Sequence, residues 1–190
     1  AYHRGFDAAL RKAFVSDGLP SNWTIHQTHF SGYTPIVDLL HALGYVYQAA
    51  QAVALDMEEA WALCQQWVTW TWQGKVSQVI DAIDRRMTQT TDPATAEVLE
   101  QSRRYLHNNR QRMRYDEYRK QGLPITTALM ESTIKRINRR MKGTERVWRD
   151  GAEPLLQLCA DKLSETRPMD AFWRQRAESQ TGRRKSRASV

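Results

Sequence analysis

Three acidic side chains stand where carboxylates could meet at a divalent metal ion. Asp17 follows the apolar run 13–16 at a sharp turn with Gly18, which predicts a carboxylate at the carboxyl end of a buried strand, where α/β proteins form their sites. Asp38 ends a second apolar run, and Glu131 opens a strongly basic helical segment. One carboxylate at a strand end and another on a helix packed over the sheet can hold two Mg²⁺ ions for phosphoryl transfer.

Each of these residues also has a plain structural explanation. An Asp before Gly, as at Asp17, is common turn chemistry, and Glu131 can pair with Lys135 one helical turn later. Asp38 with His41 can be a carboxylate at a helix start beside a partly buried histidine. Spacing alone therefore leaves both the metal site and the structural roles open.

Two short strands and a series of helices would position these residues. The apolar runs predict strands at 13–16 and 35–40, with the stops expected of Gly and Pro between them. Two strands do not make an independent sheet, so either they pair with each other under the helices or flanking strands are absent from this chain. Helical spacing and capping signals predict helices over 1–12, one or two turns within 22–30, then 39–54, 56–72, 76–87, 92–121, 128–142, 152–165 and 169–178.

Composition narrows the class of protein. The 190 residues include seven Trp and seven Tyr and are 41% hydrophobic, which excludes a disordered chain. Two Cys exclude a disulfide scaffold and a Cys-based zinc site, and no apolar run reaches the 18 residues of a membrane span. The sequence therefore predicts a folded domain with no membrane partner.

The positive charge is concentrated in the second half of the chain. Residues 1–100 carry a net charge of −5, residues 101–150 carry +9 and residues 151–190 carry +3. Clustered basic residues indicate an anionic polymer such as DNA as partner, although a solvated basic face would look the same. The candidate DNA contacts lie around Glu131: Lys135, Arg136, Arg139, Arg140 and Lys142.

Aromatic residues in the middle of the chain allow two interpretations. Four tryptophans share one predicted helix, where core packing is favoured and stacking on unpaired bases is the alternative. Three tyrosines interleave with arginines over 103–119, a pattern that suits nucleic-acid contact and a charged helix equally well. The residues are Trp61, Trp67, Trp70 and Trp72, and Tyr105, Tyr115 and Tyr118.

Two pairs of segments carry a more specific pattern. They are 14–19 with 33–43, and 118–132 with 139–148. Together they resemble transposases of bacterial insertion sequences in the Mutator-like group, over roughly residues 12–175. The resemblance implies a ribonuclease H-like core with a DDE triad, in which Asp17 matches the second Asp and Glu131 matches the Glu.

The resemblance also implies a chemistry and partners. Asp38-Leu39-Leu40-His41 matches the family's Asp-x-x-His motif, whose Asp38 and His41 would shape or buffer the site more than bind metal. Asp17 and Glu131 would be catalytic residues and ligands of Mg²⁺ or Mn²⁺, about 4–8 Å apart. The intact enzyme would nick DNA at the element's end and join the freed 3′-hydroxyl to target DNA. It would act in the bacterial cytoplasm, on the nucleoid, as a dimer or larger assembly.

Two departures from the family pattern limit what the resemblance implies. The first Asp of the triad is expected on an earlier strand, and residues 1–12 offer only Asp7, in a helical pattern. The loop before Glu131 reads Thr126-Thr127-Ala128 where relatives often hold Gly-Ser-Gly. The chain therefore resembles the carboxy-terminal part of a transposase, which would not catalyse strand transfer alone.

The resulting expectation is a mostly α protein with a few β-strands (α/β), built as a partial ribonuclease H-like core with a helical insertion. The expected parts are the core strands with the second Asp over 1–42, a helical insertion over 43–122, the helices around and after the catalytic Glu over 123–178, and a disordered basic tail over 179–190. The competing hypothesis is a non-enzymatic, helical nucleic-acid-binding module.

Overall fold

A computed structural model describes residues 8–141, 152–164 and 167–180 of the chain. Within those ranges it is mostly helical with one pair of strands, which confirms the predicted class. Contacts divide the chain into two compact units, with the boundary between residues 129 and 130. The elements are β1 (Ala13–Ser16), α1 (Pro20–His29), β2 (Thr34–Val37), α2 (Leu39–Val53), α3 (Met57–Trp72), α4 (Val76–Met87), α5 (Pro93–Asn109), α6 (Tyr115–Lys120), α7 (Ala128–Met141), α8 (Ala152–Leu163) and α9 (Pro168–Gln180).

The two strands pair with each other in parallel, with Ala13 opposite Thr34 and Ser16 opposite Val37. Helix α1 connects them, as a parallel pair requires a crossover. The predicted pairing of the two strands with each other is therefore observed, and the absence of flanking strands stays a prediction. Strand β2 ends at Val37 and not at residue 40, because the Asp38 side chain caps the helix that starts at Leu39.

The helices of the first unit pack around small residues of α2. Its buried face includes Ala42, Val46, Ala49 and Ala50, which let α3 and α5 approach closely. The predicted helix starts at Asp56 and Asp92 are observed, since each side chain accepts a hydrogen bond from the amide three residues later. The core is therefore built by helix faces whose spacing the sequence displays.

The predicted long helix over 92–121 is wrong. Helix α5 ends at Asn109, a 3₁₀ turn follows, and α6 begins at Tyr115. The break places Met113, Tyr115 and Tyr118 in the core, and the Tyr115 hydroxyl donates a hydrogen bond to the Val37 carbonyl oxygen at 3.1 Å. A continuous helix could not direct these side chains to the end of β2.

The predicted helix over 1–12 is also not observed where the structure describes it. Residues 1–7 lie outside the described residues, and residues 9–12 are not helical. The Lys12 carbonyl oxygen accepts a hydrogen bond from the Thr34 amide at 2.9 Å, so this segment extends the strand pairing by one bond.

The four tryptophans of α3 divide between the core and the surface. Trp67 is buried, and Trp70 packs partly buried against the core. Trp61 is 62% exposed and Trp72 is 43% exposed, with the Arg119 guanidinium 3.9 Å from the centre of the Trp72 ring. Core packing therefore accounts for only two of the four.

The second unit holds α7 from residue 130 onward, with α8 packed against α9. Helix α9 extends two residues into the predicted tail, and residues 181–190 lie outside the described residues. Over the part of the chain described, no helix is long and apolar enough to cross a membrane.

Candidate functional site

Asp17 stands just past β1 with its carboxylate held by the turn that follows. Its Oδ1 accepts hydrogen bonds from the Leu19 amide at 3.0 Å, the Asn22 side chain at 2.8 Å and the Ser16 hydroxyl at 3.3 Å. Burial raises the pKa of Asp17, but these hydrogen bonds outweigh it and leave the pKa below its usual value. No described residue donates to Oδ2, so an ionised carboxylate keeps one oxygen available.

Residues in the last two turns of α5 hold the turn that follows Asp17. The Tyr105 hydroxyl donates to the Asp17 carbonyl oxygen at 2.7 Å, and the Trp23 indole donates to the Gly18 carbonyl at 3.2 Å and to the Asn109 side chain at 3.1 Å. Gly18 has φ of +91°, and a Cβ there would lie 2.9 Å from the Tyr105 hydroxyl. Sequence reasoning missed these supports, since nothing local links Tyr105 or Asn109 to a turn almost 90 residues away.

Asp38 is buried, with both carboxylate oxygens occupied. Its Oδ1 accepts from the amides of Leu40 at 2.8 Å and His41 at 3.2 Å, which caps α2. Its Oδ2 accepts from the Thr127 amide and hydroxyl and from the Thr126 hydroxyl, at 2.5, 2.7 and 3.3 Å. Asp38 therefore fastens the loop before α7 to the end of β2, a role that favours shaping the site over binding metal.

The hydrogen bonds to Asp38 also decide its protonation. Burial raises the pKa of Asp38, but the hydrogen bonds from Thr127, His41 and Leu40 outweigh that effect and lower it overall. The carboxylate is consequently ionised at neutral pH, as its five donors require.

His41 lies one helical turn into α2, beside both acidic residues. Its Nδ1 is 3.8 Å from the nearer Asp38 oxygen, and its side chain is 49% exposed. It borders the same groove as Asp17. The structure thus brings together Asp17, Asp38 and His41 at the carboxyl ends of the two strands.

The remaining predicted site residues belong to the second unit. Glu131 lies in the first turn of α7 and is exposed, as is Lys135. The backbones of Arg136, Arg139 and Arg140 follow on the same helix, but their side chains and all of Lys142 lie outside the described residues. The expected approach of Glu131 to Asp17 stays a prediction, because the two residues belong to different units.

The side chains of the described residues supply at most part of a metal site. Among the described residues, no three His, Cys, Asp or Glu side chains form a metal-binding group. Asp17 nevertheless has the chemistry of a partial site, since a carboxylate oxygen without a hydrogen bond suits a hard cation such as Mg²⁺ or Mn²⁺. A complete site needs further carboxylates, of which Glu131 is the one that the sequence predicts.

A groove of about 920 Å³ opens beside Asp17. One face each of α1, α2 and α5 lines it, and the Asp17–Pro20 turn forms one of its walls. All four of these elements belong to the first unit.

In comparisons with known proteins, no protein-family model, no curated protein and no solved structure matches the chain.

Proposed function

We propose that the chain carries the second Asp and the Glu of a DDE transposase, which cuts and joins DNA with divalent metal ions. The observation that carries the proposal is the position of Asp17. It follows one of two parallel strands, its lowered pKa keeps it ionised at neutral pH, it lines a groove, and its Oδ2 receives no hydrogen bond from the part of the chain that the structure describes. Carboxyl ends of parallel strands are where α/β proteins place their reacting groups.

The environment of Asp38 supports the same proposal. Its side chain joins the end of β2 to Thr127, four residues before Glu131. A loop fastened in this way would fix the start of the helix that carries the Glu. In this proposal Asp38 and His41 are positioning residues, and the Asp-x-x-His motif has a mechanical purpose.

The proposed roles follow from these contacts. Asp17 and Glu131 would hold Mg²⁺ or Mn²⁺, which when bound activate the attacking oxygen and stabilise the leaving one. Hydrogen bonds from the Asn22 side chain and the Leu19 amide fix the orientation of the Asp17 carboxylate, and its lowered pKa keeps it charged at neutral pH. No residue here is assigned as the first Asp, so strand transfer by these 190 residues alone is not part of the proposal. DNA is the partner, and a dimer or larger assembly on DNA is included.

Metal binding tests the proposal. Mn²⁺ would be titrated into the chain, with the free ion followed by electron paramagnetic resonance, and the titration repeated on Asp17→Asn and Glu131→Gln. We expect each variant to weaken binding at least tenfold, because each removes a charged ligand. Asp81→Asn, which neutralises an exposed carboxylate on α4, is the matched control and should bind as the parent chain does. Equal Mn²⁺ affinity in all four proteins would contradict the proposal.

A non-enzymatic nucleic-acid-binding module is the second candidate, favoured by the +9 charge of residues 101–150. It predicts salt-dependent duplex DNA binding that Asp17→Asn and Glu131→Gln leave intact, together with no metal effect. Binding that strengthens with Mn²⁺ in the parent chain alone would favour the transposase. Failure to bind DNA at low salt would count against both candidates.

A further inference from the structure

Two helices present matched faces to the groove beside Asp17. On α5 the lining residues are Gln101, Arg104, Tyr105, Asn108 and Asn109, spaced i, i+3, i+4, i+7 and i+8. On α1 the lining residues run from Pro20 to Gln27, spaced i, i+3, i+4 and i+7. That spacing gives one continuous stripe on each helix, and a hydrogen bond from the Trp23 indole of α1 to the Asn109 side chain of α5, at 3.1 Å, joins the two helices beside the groove.

The α5 stripe carries a cation, Arg104, which interacts electrostatically with Glu100 one helical turn earlier but makes no ion pair within 4.0 Å among the described residues. Arg103, its neighbour, is paired with Glu100 at 2.8 Å and with Asp84 at 3.6 Å. Arg104 is exposed and lines the groove, and among the described residues no carboxylate lies within 4.0 Å of its guanidinium. The Arg104 guanidinium is thus near Glu100 but not hydrogen-bonded to it, and it lines the groove, where a phosphate could bind it bidentately.

Aromatic and amide groups complete the lining. Tyr45 of α2 stacks on Tyr105 with ring centroids 3.8 Å apart, and both rings border the groove. Gln27, Gln101 and Asn108 supply side-chain amides, which can donate to and accept from base edges. Tyrosine rings beside arginine are the combination that holds unpaired nucleotides, because every base has a face to stack.

The size of the groove sets the form of the ligand. Its volume of about 920 Å³ lies near the top of the range of about 300–1,000 Å³ that is typical of small-molecule sites. A few unpaired nucleotides suit such a space, whereas a duplex keeps its base faces stacked and out of reach. Because Asp17 lines the same groove, a strand bound by Arg104 would pass the carboxylate.

We propose that this groove binds an unpaired DNA strand, with a phosphate on Arg104, a base stacked against Tyr45, and base edges read by the amides of Gln101 and Asn108. The inference rests on the proposed function for the meaning of Asp17, and it names the form of DNA that the site accepts: a single-stranded end. Neither the charge of the chain nor the carboxylates alone specify that form.

Fluorescence anisotropy with a labelled eight-nucleotide single strand, in EDTA, tests the inference, and a duplex of the same sequence serves as second probe. We expect Tyr45→Ala to weaken single-strand binding at least about fivefold, the effect of one lost base stack, and to leave duplex binding unchanged. Arg104→Ala should make the slope of log affinity against log salt shallower by about 0.7 for the single strand. Arg104→Lys should restore the slope.

Arg85→Ala is the matched control, since Arg85 is an exposed arginine on α4 that does not line the groove. If Arg85→Ala and Arg104→Ala have equal effects, or if Arg104→Ala weakens both probes alike, the binding is general electrostatics and the inference is overturned. Should Tyr45→Ala fail to fold, the Arg104 series still decides the question.

This experiment and the Mn²⁺ titration fail separately. EDTA removes the metal, so unchanged single-strand binding by the Arg104 variants overturns the groove while the metal site stands. In the converse result, the groove variants lose single-strand binding as expected while Asp17→Asn and Glu131→Gln leave the Mn²⁺ affinity unchanged. That result overturns the transposase proposal and leaves a groove that binds single strands.

Discussion

Asp38→Asn should destabilise the protein through the loop before α7 more than through the cap of α2. Asparagine keeps an oxygen for the Leu40 and His41 amides but puts an NH₂ group where Oδ2 accepts three hydrogen bonds from Thr126 and Thr127. The threonine hydroxyls can rotate and accept, whereas the Thr127 N–H cannot. The Thr127 N–H is half-buried, so the loss of its acceptor costs toward the lower end of about 1–3 kcal/mol. The lost charge of the buried Asp38 carboxylate adds to this cost, so we expect a loss of about 1–3 kcal/mol in all.

Urea unfolding followed by tryptophan fluorescence measures that free energy, and a double-mutant cycle assigns it. Thr127→Val removes the hydroxyl that donates to Asp38 at 2.7 Å while keeping the shape of the side chain. Combined with Asp38→Asn, it should cost less than the sum of the two single variants, with a coupling of about 0.5–3 kcal/mol. Asp81→Asn again controls for loss of an exposed carboxylate. A cost of Asp38→Asn below about 0.5 kcal/mol, or zero coupling, would refute the role of Asp38 as a fastener of this loop.

Three further outcomes follow from the contacts around the strand ends. Gly18→Ala should lower the free energy of unfolding by about 1–3 kcal/mol, measured in urea, because its φ is +91° and the new Cβ would meet the Tyr105 hydroxyl at 2.9 Å; unchanged stability would contradict the turn described. Tyr115→Phe should cost about 1–3 kcal/mol in thermal unfolding, because it leaves the buried Val37 carbonyl without its donor; a neutral effect would contradict that contact. The pKa of Asp38 is lower in the folded state, so the stability that its ionised form contributes should be full above about pH 5 and be lost as the pH falls below about 3.9. The difference in free energy of unfolding between the parent chain and Asp38→Asn should therefore narrow in acid. A constant difference from pH 7 to pH 3 would contradict this prediction.

The elements that the sequence predicted best are those set by local chemistry. The carboxylate before Gly18, the caps at Asp38, Asp56 and Asp92, and the apolar run of β1 all depend on neighbours within a few residues, and the structure has each of them. The stripes on α2 and α4 likewise follow from periodic spacing.

What could not be predicted depends on partners distant in the chain. The chain leaves its helical path after Asn109 because Tyr115 reaches the carbonyl of Val37, a contact across 78 residues. The support of the Asp17 turn by Tyr105 spans 88 residues. Periodicity could place Tyr105 on a helix face but could not say that the face meets a strand end.

The two readings of Asp38 show how tertiary contacts separate alternatives. Its position before a helix predicts the cap, and the resemblance implies a place in the site; the sequence supports both. The hydrogen bonds from Thr126 and Thr127 to Oδ2 show that the side chain does more than cap. Because the Leu40 and His41 amides already donate to Oδ1, both carboxylate oxygens of Asp38 are occupied by hydrogen bonds. Thr126 and Thr127, which stand where the transposases that the sequence resembles often hold Gly-Ser-Gly, are the residues that donate to Asp38 Oδ2.

The central claim is that Asp17 and Glu131 bind one metal centre, and metal-directed cleavage of the chain tests it most directly. Fe²⁺ bound in place of Mg²⁺ reduces added hydrogen peroxide to hydroxide and a hydroxyl radical and is itself oxidised to Fe³⁺. The radicals cut the nearby backbone, and the fragments can be mapped by mass spectrometry. We expect two clusters of cuts, one near residue 17 and one near residue 131, both lost in Asp17→Asn and in Glu131→Gln. Cuts near only one of the two residues, or a pattern that either variant leaves unchanged, would contradict it.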